Sequence, residues 1–325
     1  MTTPPLIVGL GEAMIRFTAQ GYQPLATATD FRANVAGSEL NVLTVAAALG
    51  LRSRFVTRLP ENDLATMVRR TAQAAGVEVE AIVEPSARLG TFFLEVGVPP
   101  RASKVLYDRT DSAASHLGPK DFEWAAVVSG ARIAHSTGIT CALGGAQHAV
   151  RAFFDAAREA GILRSFDVNY RSQLWPAEEA AVVLRRVIHG VTVLFASVED
   201  LGMLLGESLP LPEAAQRVRD TFEVSTVVVR ERTEQGGGEL AVRVNCFGEA
   251  HATAEASGTV IDELGAGDAA AGAFLAAVAR GESPDEQVRQ AARAYARMLT
   301  LPGDGWVGSR EDLDGGFRVG RTLVR

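Results

Sequence analysis

Apolar positions along the chain fall into two alternating patterns. Short continuous runs predict strands, and longer stretches with apolar residues every three or four positions predict helices. "PLIVGLG" (5–11) predicts a first strand, and "SELNVLTVAAALG" (38–50) predicts a helix with Ser38 as its N-cap and Gly50 as its stop. "RSRFVTRL" (52–59) is the next strand, and "DLATMVRRTAQAAG" (63–76) the next helix, ended by Gly76. Further strands are predicted at 131–138, 164–170, 192–197, 225–231 and 250–261, with helices at 145–161 and 177–190. Strand alternating with helix across loops of ordinary length predicts an α/β fold with a mostly parallel central sheet flanked by helices.

"MIRFTAQ" (14–20), "GTFFLEVG" (90–97) and "KVLYDRT" (104–110) break that rhythm. They look like antiparallel strands, the last two joined by the hairpin connector "VPPRAS" (98–103). Without crossover helices they do not belong in a doubly wound sheet. They predict a small accessory sheet over the C-terminal ends of the main strands, where α/β ligand sites lie. That is the geometry of a lid.

Composition narrows the class. Hydrophobic residues make up 47% of the chain and charged residues 22%, which suits a folded core and excludes a disordered chain. A length of 325 residues accommodates one large α/β domain with an appended sheet as readily as two domains. The net charge of −7 argues against sequence-independent nucleic-acid binding, which needs a basic surface. Cys141 and Cys246 form neither a disulfide framework nor a metal spacing, and read as reduced, buried thiols. The N-terminus lacks the basic region of a signal peptide, and no apolar stretch approaches the ~18 residues of a membrane span. The expectation is a cytoplasmic protein without a membrane partner.

The chemistry concentrates in "IDELGAGDAAAGAF" (261–274). Gly265-Ala266-Gly267 allows close backbone approach and leads into an alanine-rich helix, whose N-terminal N–H groups and dipole favour an anion. Asp268 places a carboxylate at the same spot: either a helix cap, or a base beside a phosphoryl group. No Lys-Ser/Thr follows the glycines, so this is not a Walker A loop.

"DELGAGDAAAGAF" resembles the C-terminal signature of the ribokinase-like (phosphofructokinase-B type) carbohydrate kinases, and "VAGSELNVLTVAAALG" (35–50) their N-terminal signature, in matching order and separation. The resemblance implies a ribokinase-like three-layer fold formed by residues 1–325 as a single domain, with a lid from about 13–36 and 88–112. It also implies ATP and Mg2+ as cofactors. Within the family, "SFDVNYRSQLW" (165–175), "KVLYDRTDSAASHL" (104–117) and "AHSTGIT" (134–140) are most similar to 2-keto-3-deoxygluconate kinases. That similarity implies Arg109 and Arg171 as a paired clamp for a substrate carboxylate, which under a lid needs compensating charge. The bland alternative for each arginine is an ion pair with an acid such as Asp108 or Asp111. On the substrate side the similarity adds Tyr107, Gly37, Asn41, Phe93, Ile139 and, in "LPGDGW", Asp304. Asp268 becomes the base, with Gly265, Ala266 and Gly267 as the anion hole. Ser197, Arg230 and Arg232, with Gly265 and Gly267, fall to the nucleotide. Asn169, after Asp167, and Asp200 fall to the metal, Asp200 reading equally as a helix-start acid.

The chain departs from the family in three places. "RERTEQGGG" (230–238) displaces the glycines of the nucleotide loop, Ala270 replaces the signature Phe with the following glycine shifted to Gly272, and "TRLPENDLA" lacks two usual glycines. The reading is therefore a kinase for a 2-keto-3-deoxy sugar acid, forming a homodimer through the lid. The alternatives are a neutral-sugar kinase of fructokinase or ribokinase type and a non-catalytic sugar-acid-binding member of the fold. An oxidoreductase suggested by "LIVGLGEAM" is weaker, since the third glycine and a ribose-binding acid are missing.

Overall fold

The structure, a computed structural model, describes residues 3–98 and 100–314. Met1, Thr2, Pro99 of the expected hairpin connector and the 315–325 end of the expected domain lie outside the described residues.

The strands run β1 (Leu6–Leu10), β2 (Met14–Ala19), β3 (Phe31–Ala36), β4 (Arg52–Pro60), β5 (Val77–Glu84), β6 (Gly90–Glu95), β7 (Lys104–Asp108), β8 (Ala131–Thr137), β9 (Leu163–Asp167), β10 (Val193–Ala196), β11 (Thr226–Gly236), β12 (Glu239–Phe247) and β13 (His251–Thr259). The helices are α1 (Ser38–Ala48), α2 (Asp63–Ala74), α3 (Trp124–Val127), α4 (Gly138–Cys141), α5 (Ala146–Glu159), α6 (Ala177–Val187), α7 (Val198–Leu205), α8 (Leu211–Phe222), α9 (Ala266–Ala279), α10 (Pro284–Leu299) and α11 (Arg310–Asp314).

Among the described residues the main sheet has the order β13-β12-β11-β10-β9-β8-β1-β4-β5, parallel from β11 to β5 and antiparallel across β11–β12–β13. Its parallel strands are apolar on both faces, as expected when helices cover both sides. Ile7, Phe55 and Phe195 pack with α1, α2, α9 and α10; Val8, Val56 and Phe166 pack with α5, α6, α7 and α8. The result is three layers with two apolar cores, the α/β fold expected from the alternation.

The small sheet has the order β3-β2-β6-β7. The antiparallel expectation holds for β2–β3 and β6–β7, but β2 and β6 are parallel, because the chain completes β4, α2 and β5 between them. β5 and β12 were not apparent in the sequence. β5 is only partly buried along its length, and β12 turns out of β11 at Gly236, Gly237 and Gly238, all in left-handed conformation. The glycines that resembled a displaced nucleotide loop thus form a hairpin turn, which favours such backbones. No described helix is long and apolar enough to cross a membrane.

Candidate active site

The end of β9, the start of α7, β11 and the N-terminus of α9 line a cleft of about 840 Å³. It opens at the C-terminal ends of the parallel strands, where the ends of covering helices point free N–H groups. Gly265 is the N-cap of α9 with φ +81°, a conformation that disfavours a side chain. Asp268 is in the helix's first turn and makes no cap bond, so the capping alternative does not hold.

Instead the Asp268 carboxylate accepts hydrogen bonds from Ser38 Oγ (2.6 Å) and Asn41 Nδ2 (2.8 Å) at the start of α1. Ser38 was expected as the N-cap of that helix. The cap is Gly37, and Ser38 is the first helical residue, its hydroxyl turned to Asp268 and accepting from Asn169 Nδ2 at 2.9 Å. Burial raises the Asp268 pKa, and repulsion from Asp167 adds to it; the Ser38 and Asn41 bonds and the charge of Arg171 oppose this.

Asp167 ends β9 buried, gripped by Arg230 Nη2 at 2.8 and 3.0 Å and accepting the Asn169 N–H at 3.1 Å. Arg230 Nη1 donates to the carbonyl of Gly267 at 2.9 Å. Arg230 therefore lines the cleft while tying the glycine turn to β9. Arg232 stands exposed at the rim, 3.6 Å from Glu263. Ser197 and Asp200 form a capping box at the start of α7: Asp200 Oδ2 accepts the Ser197 N–H (2.8 Å) and Ser197 Oγ the Asp200 N–H (3.1 Å). Burial raises the Asp200 pKa.

The residues expected on the sugar side are distributed less evenly. Arg171 lines the cleft and, among the described residues, donates only to the Tyr170 carbonyl, at 3.2 Å. Arg109 does not line it. Its pairing is with neither Asp108 nor Asp111; its Nη2 is bound to Glu12, and its guanidinium lies 5.7 Å from the centre of the Tyr107 ring. Phe93 requires a correction. It pairs with Leu106, so it lies on the opposite face of the small sheet from Tyr107 and packs on Phe17 and Phe31. Its neighbour Phe92, opposite Tyr107, shares that residue's face. A strand alternates faces at every residue, so a displacement of one position reverses the assignment.

Gly37 abuts Glu12: a Cβ there would lie 2.5 Å from the Glu12 carbonyl oxygen. Ile139 sits in α4 between Thr137 and Thr140, whose hydroxyls both donate to Glu39 Oε1 (2.8 and 2.7 Å). Asp304 is buried and ion-paired to Arg16 of β2, which also binds Asp262. Burial raises the Asp304 pKa to about 6 against the pull of Arg16.

Sequence reasoning missed Ser38 as a partner of Asp268, and Arg16, Glu12 and Glu39 altogether. The available signal for Arg16 was a lone cation inside "MIRF": a buried charge on a strand demands a partner.

Residues 5–305 match the model of the pfkB family carbohydrate kinases. The chain is 34% identical over 303 residues to a 2-dehydro-3-deoxygluconokinase of Thermoproteus tenax, covering 92% of this chain and 89% of that protein. It is 30% identical over 299 residues to a 2-dehydro-3-deoxygalactonokinase of Haloferax volcanii, covering 92% of each. Among solved structures, a 2-dehydro-3-deoxygluconokinase of Thermotoga maritima superposes with a TM-score of 0.91 at 30% identity, covering 96% of this chain and 98% of that one. On the match across nearly its whole length, the chain belongs to the pfkB family of carbohydrate kinases.

Proposed function

We propose that the protein transfers the γ-phosphoryl group of ATP to a primary hydroxyl of a 2-keto-3-deoxy sugar acid, 2-keto-3-deoxygluconate or a close relative. The observation that carries this is Asp268, a carboxylate held by Ser38 and Asn41 beside the N-terminal turn of α9. The names of the two relatives, both 2-dehydro-3-deoxy sugar-acid kinases, support the substrate class. In this reading Asp268 takes the proton as the hydroxyl oxygen attacks the γ-phosphorus and the bond to the ADP oxygen breaks. The N–H groups of 265–268 neutralise charge on the transferring group. A pKa raised by burial makes Asp268 a stronger base than an exposed aspartate.

The described residues hold no cluster of three or more acids, histidines or cysteines able to bind a metal alone. A kinase Mg2+ needs less, since phosphates and water complete its shell. Asn169 and Asp200, on the cleft wall, fit such a hydrated ion and would hold it there by their side-chain oxygens. Bound there, the ion would offset phosphate charge. Ser197, Arg230 and Arg232 would flank the nucleotide. The small sheet would act as a lid, and its face away from Tyr107 would pair two subunits.

The pairing of Arg109 with Glu12 favours a second reading, a neutral-sugar kinase. A panel measuring ADP formation with the gluconate- and galactonate-derived keto-deoxy acids, fructose and ribose separates the two. The acids should be turned over preferentially. Asp268→Asn should lower kcat about 10²-fold or more with little change in sugar binding. Near-normal turnover by that variant rules out Asp268 as the base.

A further inference from the structure

Glu12 follows β1, at the base of the small sheet, with only 3% of its surface exposed. A buried carboxylate is costly unless charge and hydrogen bonds compensate it. Glu12 has both. Its Oε2 accepts from Arg109 Nη2 and its Oε1 from the hydroxyl of Ser112, itself buried. The backbone is shaped around it: Gly90 of β6 passes so close that a Cβ would lie 2.9 Å from Glu12 Oε1, and Gly37 abuts the Glu12 carbonyl.

The other end of the pair is unfinished. Arg109 is 8% exposed, its only hydrogen-bonded nitrogen among the described residues is Nη2, and its Nε is buried without a partner. An orphaned buried donor costs free energy comparable to a lost hydrogen bond, and on a cation more. A guanidinium carries five donors in a planar fork. Glu12 holds one edge, and the Tyr107 ring lies 5.7 Å from Cζ. Among the described residues the remaining donors of the guanidinium have no acceptor.

We propose that Glu12 is a positioning residue for substrate recognition: gripping one edge of Arg109 and braced by Ser112, it presents the free donors of the guanidinium to the substrate carboxylate. Glu12 touches no reacting atom and acts through Arg109. It also keeps the buried cation neutralised when no substrate is bound. This rests on the reading of the substrate as a sugar acid, and it reconciles that reading with the ion pair that otherwise speaks for a neutral sugar.

The test is steady-state kinetics of the full chain with the keto-deoxy acid, with the analogue whose carboxylate is reduced to an alcohol as a competitive inhibitor, and a thermal melt of each variant. Glu12→Gln keeps size and one acceptor oxygen for Arg109, turns the other oxygen into an amide donor that Ser112 Oγ can accept, and removes the charge. It should raise KM for the acid about tenfold, with kcat falling far less and the Ki of the alcohol unmoved. Ser112→Ala, a milder change, should raise the same KM by a smaller factor. Arg109→Ala should raise it at least as much as Glu12→Gln, and the double variant no further than Arg109→Ala alone, since Glu12 acts only through that arginine. Equal weakening of acid and alcohol by Glu12→Gln, or a lowered melting temperature with unchanged KM, overturns the proposal and leaves a purely structural ion pair. If wild type prefers the acid and Arg109→Ala erases that preference while Glu12→Gln does not touch it, the Glu12 proposal fails alone. If wild type shows no preference for the acid over the alcohol, the substrate reading and this proposal fall together.

Discussion

Glu39 is paired with no cation among the described residues. It is fully buried in the first turn of α1, next to Ser38 and two residues before Asn41, with two threonine hydroxyls on one oxygen. Burial pushes its pKa to about 7, repulsion from Asp268 adds to the rise, and the bonds from Thr140 and Thr137 oppose it. The folded state therefore keeps a proton that the unfolded chain has already lost between pH 4.5 and about 7. Stability conferred by that proton is present below the unfolded pKa, falls as pH rises through this window, and is gone above it. A shift of this size corresponds to about 3 kcal/mol. Replacing Glu39 with Gln should remove that slope: urea unfolding should place the variant about 2.5 kcal/mol higher relative to wild type at pH 8 than at pH 5. A difference independent of pH would contradict a proton held at Glu39. Asp268 itself was legible in the sequence because it follows Gly265-Ala266-Gly267 in a recurring signature. Glu39 was not, because one acid on a helix gives no sign of which side will be buried.

At the scale of elements, the site depends on how closely α1 and α9 approach, since one carries Ser38 and Asn41 and the other Asp268. Gly272 sets that approach: a Cβ there would lie 2.6 Å from the Val42 carbonyl and 2.8 Å from the Val45 Cβ. The glycine that departs from the family signature is thus where the two helices touch. Gly272→Val should cost roughly 1–3 kcal/mol of stability, as overpacking does, and should lower kcat by displacing the Asp268 partners. Denaturant melts and kinetics on the folded fraction would separate the two effects; lost stability with full kcat would show that the helices part without disturbing Asp268. Alternation made most of the main sheet readable. Pairing partners were less so: β2 lies parallel to β6, a relation set by the intervening β4–α2–β5 and absent from either strand's own pattern. Phe92 and Phe93 are equally apolar, so composition offers nothing to choose which of them faces Tyr107.

Across the whole molecule the small sheet has two unlike faces. Asn34, Arg16, Phe92 and Tyr107 lie side by side on one, joined to the body by the ion pairs of Arg16 with Asp262 and Asp304. Ala33, Phe17, Phe93 and Leu106 form the corresponding row on the other, where Leu106 is 54% exposed. Among the described residues no further strand pairs with either edge strand, β3 or β7. An apolar row beside open edges suits a two-fold contact in which the same patch meets itself. Under the dimer reading, Leu106→Lys would place like charges across the symmetry axis and bury them against aromatic rings. Sedimentation at micromolar concentration should then show a dimer for wild type and a monomer for the variant. Leu106 and Tyr107 are adjacent on β7 with opposite orientations, so the same change leaves the Tyr107 face chemically intact. If the sheet's position over the substrate depends on the second subunit, the monomer should bind sugar more weakly while keeping its affinity for ATP, whose proposed place is the cleft of the main body. A variant that remains dimeric at the same concentration would remove this face as the interface.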